Sequence, residues 1–228
     1  MWRFNQEVIA FIKGILCGKS TPIDDNSSWK PPILDLRPPP IDDFHVKNTS
    51  DEPDFNGKLL LADPSLRGGI FHKSVVLLAD HSEEDGAMGL ILNQPAGHTV
   101  GDLLKGDEFS DLSSVQVHIG GPVAKTHLSF AAFWNEEENF HFKARISAED
   151  ADRYVHKPGA IVRAFVGYSG WEKDQLEDEI EQQSWFAVLA KPELLSVSHE
   201  PGLWKTIMEG ISPFHHILSK APDEILSN

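Results

Sequence analysis

Three short aliphatic runs, each cut off by turn residues, constrain this chain more than any other feature. Leu59-Leu60-Leu61-Ala62 stops at Asp63-Pro64, and Val75-Val76-Leu77-Leu78-Ala79 stops at a polar link over residues 80–86. Met88-Gly89-Leu90-Ile91-Leu92 stops at Asn93-Gln94-Pro95. Runs of this length suit buried strands and are too short for helices. The link over 80–86 has the size of a hairpin connection, so the second and third runs are expected to pair antiparallel. Asp63-Pro64 starts a turn, and Gly68-Gly69 permits backbone angles that other residues avoid.

The rest of the chain can be placed around this core. Val100-Gly101-Asp102-Leu103-Leu104 reads as a short helix capped by Thr99. Residues 115–119 read as a strand ending at Gly120-Gly121-Pro122. Residues 127–134 are rich in strand formers. Residues 140–146 alternate Phe140, Phe142, Ala144 and Ile146 with His141, Lys143 and Arg145, the pattern of a half-buried strand. Ser147-Ala148-Glu149-Asp150 has the form of a capping box opening a helix to about Val155. Residues 160–168 form another strand, followed by Gly167-Tyr168-Ser169-Gly170-Trp171 as a strand-to-helix turn. Asp174 is expected to cap a helix through Gln182 with Leu176 and Ile180 inward and Glu177, Asp178, Glu179 and Glu181 mostly outward. A strand over 185–190, a helix started by Pro201-Gly202-Leu203-Trp204 and running to about Gly210, and one further turn over 212–218 complete the reading, and residues 221–228 are expected to fray.

The segments LLLADPSL, GAMGLILNQP, IGGPV, GYSGW and QLEDEI occur in this order. Together they resemble the YqgE/AlgH family of bacterial proteins, over about residues 57–204. The resemblance implies a single α/β (α+β) domain: a bifurcated, mostly antiparallel sheet forming a pseudo-barrel, with helices outside. It also implies a role as a transcriptional regulator, the label this family carries, without a known biochemical activity. Two features depart from the family pattern. The chain has a long N-terminal extension, and Ser169 stands where the family has alanine.

That extension has two parts. Residues 1–19 place Phe4, Val8, Phe11, Ile12, Ile15 and Leu16 at helical spacing, which predicts an amphipathic helix. Lys13 and Glu7 interrupt its apolar run, so it reads neither as a signal peptide nor as a membrane span. Residues 20–56 hold seven of the 15 prolines and read as a linker or arm. Ile33-Leu34-Asp35-Leu36, and Ile41, Phe44 and Val46, could dock as short extended pieces. Residues 57–228 are expected to form the domain. A homo-oligomer would form through the N-terminal helix or the arm.

Charge and motif content narrow the function. The formal net charge is −15, of which −12 lies beyond residue 56. So acidic a surface repels nucleic-acid phosphate, and no basic recognition helix is present, so direct nucleic-acid binding is not expected. Cys17 is the only cysteine, which fits a reducing compartment and a cytoplasmic location. Eleven histidines form no His-x-x-x-His or His-Glu-x-x-His pattern, and no metal ligand or cofactor is assigned. Gly167-Tyr168-Ser169-Gly170-Trp171 lacks the second glycine of a nucleophile elbow, and no catalytic residue is assigned. The expected function is regulation through contacts with partner proteins. The alternative is a small-molecule binder or enzyme whose cleft is lined by the turns at Asn93, Gly120-Gly121 and Gly167-Trp171. Its ligand-binding residues would be Asn93, Gly120, Gly121, Tyr168, Gly170 and Trp171.

Overall fold

A computed structural model describes residues 55–66, 69–82, 84–137, 139–190 and 202–220. The expected N-terminal helix, almost all of the arm and residues 221–228 lie outside the described residues. The strands are β1 (Lys58–Ala62), β2 (Val75–Ser82), β3 (Gly86–Ile91), β4 (Pro95–Thr99), β5 (Gln116–Ile119), β6 (Val123–Glu136), β7 (Asn139–Ile146), β8 (Ile161–Trp171) and β9 (Trp185–Leu189). The helices are α1 (Val100–Leu103), α2 (Ala148–Val155), α3 (Gln175–Glu181), α4 (Leu203–Ile211) and α5 (Pro213–Lys220), with a short 3-10 turn at Asp107–Phe109.

The three aliphatic runs are the adjacent strands β1, β2 and β3, paired antiparallel. They do not alternate in polarity because both faces of the sheet are covered here. Leu59, Leu61, Val75, Leu77, Leu90 and Leu92 pack with Leu203, Trp204, Ile207 and Met208 of α4. On the opposite face Leu60, Ala62, Val76, Leu78 and Ile91 pack with Trp171, Trp185 and Leu176 of α3. A third apolar cluster joins Val100 and Leu103 of α1 and Ala151 of α2 to Val117, Leu128 and Ala164 of the sheet.

The sheet is mixed, open and branched. Its main path runs β4-β5-β8-β3-β2-β1-β9, and β6 pairs with both β7 and β8. Only β5 and β8 run parallel among the described pairs. The branch is on β8. One edge of β8 meets β5 at Ala164 to Val166 and β3 at Ser169 to Trp171. Its other edge meets β6 from Ile161 to Val166.

The expected pseudo-barrel is therefore incorrect. A barrel needs its last strand to bond to its first. Here β4, β7 and β9 each have a single strand partner among the described residues, so three edges stay open. The physical reason is the division of β8 between two sets of strands, which splays the sheet. Its faces are closed by helices rather than by the sheet curling on itself.

Three local readings also change. Gly167-Tyr168-Ser169-Gly170-Trp171 is not a turn; it is the second half of β8, with Gly89 opposite Ser169 and Ala87 opposite Trp171. Asp174 precedes α3 in a left-handed conformation, φ 63°, with no side-chain capping bond. The turn expected over 212–218 is a full helix, α5. The Ser147 cap is present, its hydroxyl accepting from the Asp150 N–H at 3.1 Å. No helix among the described residues is long and apolar enough to cross a membrane.

Candidate functional site

The branch in the sheet brings several of the expected residues together. Gly120 follows β5 and lies where β3, β5 and β8 meet. Its N–H donates to the Val166 carbonyl at 2.9 Å, and its own carbonyl accepts from the Ile91 N–H at 3.0 Å. The Ser169 hydroxyl donates to the same Gly120 carbonyl at 3.2 Å. Gly121 presses against the backbone of β8, where a Cβ would lie 2.1 Å from the Tyr168 carbonyl carbon. Gly167, at φ +71°, leaves 2.6 Å between a would-be Cβ and the Gly121 carbonyl oxygen. These glycines are needed because two backbones cross in van der Waals contact.

Asn93 lies just beyond β3, one residue from the same junction. Its Oδ1 accepts from the Val75 N–H at 2.8 Å, and its Nδ2 donates to the Lys73 carbonyl at 2.9 Å. Lys73 has φ 52°, so the Asn93 amide braces a strained turn. The neighbouring Gln94 holds the same segment, its Nε2 donating to the Ile70 carbonyl and its carbonyl accepting from the Ile119 N–H at 2.9 Å.

Two buried polar residues, absent from the sequence expectations, complete the junction. Arg163, 2% exposed, donates from Nη1 to the Leu92 carbonyl at 3.0 Å. His118 is fully buried and lies against the Phe165 ring, 5.6 Å between centroids. Arg163 sits in an otherwise apolar strand, Ile161-Val162-Arg163-Ala164-Phe165, and that isolated charge was the available signal.

Tyr168 and Trp171 do not share a surface. Tyr168 packs on the α4 side, in the cluster that contains Leu92 and Phe165. Trp171 packs on the α3 side and donates from Nε1 to Glu179 Oε2 at 2.9 Å. Trp185 donates to the same oxygen at 2.7 Å, and the Gln175 side-chain amide donates to Glu179 Oε1 at 2.8 Å. The two indoles meet edge to face at 5.9 Å, with Phe71 against both. Gly170, between Tyr168 and Trp171, is exposed. The expected six-residue set is thus divided: Gly121 meets the Tyr168 backbone at the junction beside Gly120, Asn93 is bonded to Lys73 and Val75, and Trp171 belongs to an aromatic nest on the other face.

Chemically, the junction spends its polar groups on the backbone. Both ends of the Asn93 amide and both backbone groups of Gly120 are engaged internally. The Ser169 hydroxyl is completely buried and donates to a carbonyl, not to a base.

Elsewhere, the ionisable groups pair with one another. His81 Nε2 lies 2.6 Å from Glu177 Oε1, joining β2 to α3. Asp111, Asp152 and His156 are the one grouping among the described residues whose donor atoms could share a metal ion. His156 Nε2 is 3.0 Å from Asp111 and 3.8 Å from Asp152, so the exposed imidazole is within hydrogen-bond reach of the Asp111 carboxylate. Asp102 is held below the ordinary carboxylate range, first by the backbone N–H of Thr99 at 2.8 Å and then by the Thr99 hydroxyl at 3.1 Å.

The described surface carries few large apolar side chains: Val123, Leu189, Phe214 and Ile217. Phe214 and Ile217 are 64% and 69% exposed and lie three apart, on one face of α5. The other side of α5 faces the domain, with Leu218 against the core and the His215 ring 4.7 Å from that of Phe186.

Comparison with known proteins adds the following. The family model described as AlgH-like matches residues 59–213. A UPF0301 protein of Bacteroides thetaiotaomicron is 30% identical over 196 residues, covering 79% of this chain and 94% of the relative. A UPF0301 protein of Shewanella frigidimarina is 36% identical over 159 residues, covering 64% of this chain and 84% of the relative. The solution structure of the AlgH protein from Pseudomonas aeruginosa superposes with a TM-score of 0.52 at 20% identity, covering 78% of this chain and 99% of that one. A crystal structure of a protein from Corynebacterium diphtheriae gives a TM-score of 0.57 at 21% identity, covering 76% and 95%.

Proposed function

This chain belongs to the AlgH-like family, and from that premise we propose that it is a regulatory protein acting through contacts with a partner protein. The outer face of α5 is the contact surface. The observation that carries this reading is the pairing of Phe214 and Ile217, both well over half exposed, on a helix whose other side already packs on the domain. Burying two such side chains contributes about 1.5–3 kcal/mol each, enough to anchor a small interface. A chain of net charge −15 favours a partner with a basic rim around the apolar pocket that receives them. The setting is the cytoplasm, in keeping with the single cysteine.

The alternative, a ligand cleft at Asn93, Gly120, Gly121, Tyr168, Gly170 and Trp171, has less support. Its groups lie on two faces of the sheet, and the polar ones are engaged by the backbone. One experiment separates the two readings. A photo-crosslinking phenylalanine analogue at position 214, in living cells, is expected to give a discrete protein adduct that Ile217→Asp removes. Absence of an adduct, together with a stoichiometric small molecule retained in native mass spectrometry, would refute the contact reading and favour the cleft.

A further inference from the structure

Asp111, Asp152 and His156 come from two elements that the core holds together. Phe109 and Leu112, on the turn that follows α1, are buried in the cluster that also contains Ala151 and Val155 of α2. Asp111 lies between those two anchors in sequence and is exposed. On α2, Asp152 and His156 each follow one residue after the inward pair Ala151 and Val155. They therefore share the adjoining helix face, at the rim of the same cluster. His156 keeps a helical conformation as the C-cap of α2. The apolar contacts beneath thus deliver all three side chains to one place.

The spacing suits a metal ion. The three donor atoms all lie within 4.8 Å of one another. Donors held about 2.1 Å from a tetrahedral ion stand about 3.4 Å apart. His156 Nε2 is 3.0 Å from Asp111 Oδ2 and 3.8 Å from Asp152 Oδ1, which brackets that edge length. Small side-chain rotations seat one ion among the three.

The electrostatics agree. Two carboxylates and a neutral imidazole balance the charge of a dication. The neighbouring cations turn elsewhere. Arg153 pairs with Glu149 at 2.7 Å and Asp150 at 3.1 Å, and Lys157 Nζ lies over the Trp134 ring, 4.4 Å from its centroid. The C-terminal end of α2, where His156 sits, adds the partial negative charge of its carbonyls. The donor types select the ion. Calcium and magnesium take oxygen ligands, whereas imidazole suits zinc and its first-row neighbours.

We propose that Asp111, Asp152 and His156 bind a first-row transition-metal dication of the zinc class, which clamps the turn at 109–112 to the end of α2. Three protein ligands leave a fourth position for water or for a donor group from outside the chain. A search for paired histidines passes over this site because the helical pair is Asp152-x-x-x-His156, and the third ligand lies 45 residues before His156. None of the three residues lies on α5, so the site stands or falls independently of the partner-contact reading.

The test is zinc titration of the full-length, tag-free chain by isothermal titration calorimetry, with cobalt(II) as a visible-absorbing stand-in. One zinc ion per chain is expected, with a micromolar Kd, and bound cobalt should give an absorption band that zinc removes. Asp111→Asn and His156→Ala are each expected to weaken zinc binding about tenfold or more, the scale at which even indirect partners of a metal act. His127→Ala, at an exposed histidine outside the grouping, is expected to leave binding unchanged. Asp111 and His156 are also exposed, so the variants should keep the far-ultraviolet circular dichroism of the unmodified chain. Calcium should neither bind at the same concentration nor displace cobalt. Failure to bind up to millimolar zinc would overturn the proposal. So would zinc affinity that survives either Asp111→Asn or His156→Ala, an equal loss in His127→Ala, or calcium binding as tight as that of zinc.

Discussion

Replacing Glu179 with alanine tests the role of the aromatic nest. One carboxylate oxygen of Glu179 accepts two indole N–H groups, from Trp171 at 2.9 Å and Trp185 at 2.7 Å. Both tryptophans are buried, 6% and 3% exposed. Removing the acceptor strands two donors, at about 1–3 kcal/mol for each group left without a partner. Glu179 itself is half-buried, so water reaches part of the vacated space and the sum falls toward the low end. The expected loss is about 2–3 kcal/mol, or roughly 4–12 °C in Tm for a chain of this size. Glu179→Gln keeps one acceptor oxygen and is expected to lose about 1 kcal/mol. The assay is urea unfolding followed by far-ultraviolet circular dichroism, with tryptophan emission as a second probe. The emission maximum of the folded alanine variant should shift to the red as water reaches the indoles. A loss below about 0.5 kcal/mol, within the range of an ordinary surface substitution, would refute the reasoning.

Three further outcomes are expected. Asn93→Asp replaces the donor to the Lys73 carbonyl with a second acceptor, and should destabilise by about 2 kcal/mol in chemical unfolding; a neutral effect would mean the amide is not bracing that turn. Gly121→Ala should prevent folding or cost more than about 3 kcal/mol, because its Cβ meets backbone that cannot yield, whereas Gly97→Ala, with open space and φ +75°, should cost about 1 kcal/mol. Asp102 has its folded-state pKa depressed below the ordinary 3.8, chiefly by the Thr99 N–H. Its contribution is therefore complete above that value and is lost as pH falls through the lower folded value. Asp102→Asn should flatten the acid limb of the stability curve, read by thermal unfolding from pH 5 to pH 2.

How far the fold was legible depended on how local its causes are. The strands β1, β2 and β3 were readable because uninterrupted aliphatic runs bounded by turns mean burial on both faces, and both faces are buried. The Thr99 and Ser147 caps were readable because each cause lies within three residues of its effect. Strand β4 escaped because Pro95, Gly97 and His98 have poor strand propensity; its pairing with β5 supplies what its sequence lacks. Glu179 looked like one more outward acid on an acidic helix. Its inward role appears only once Trp171 and Trp185 have been brought together from two strands.

The segment Gly167-Tyr168-Ser169-Gly170-Trp171 shows why the site was harder to place than the fold. Two glycines and a serine in five residues read as a turn when the only available cause is local flexibility. In the folded chain the cause is different: Gly167 leaves room for Gly121 to cross, so that β8 can pass from pairing with β5 to pairing with β3 without breaking. The same crossing turns Tyr168 toward α4 and Trp171 toward α3. It separates two aromatics that a turn would have gathered around one cleft, and it gives the buried Ser169 hydroxyl a backbone carbonyl as its partner. The glycines therefore serve the branching of the sheet. Among the described residues, the surface left for recognition lies at the periphery, on the outer face of α5, where Phe214 and Ile217 are not committed to the core.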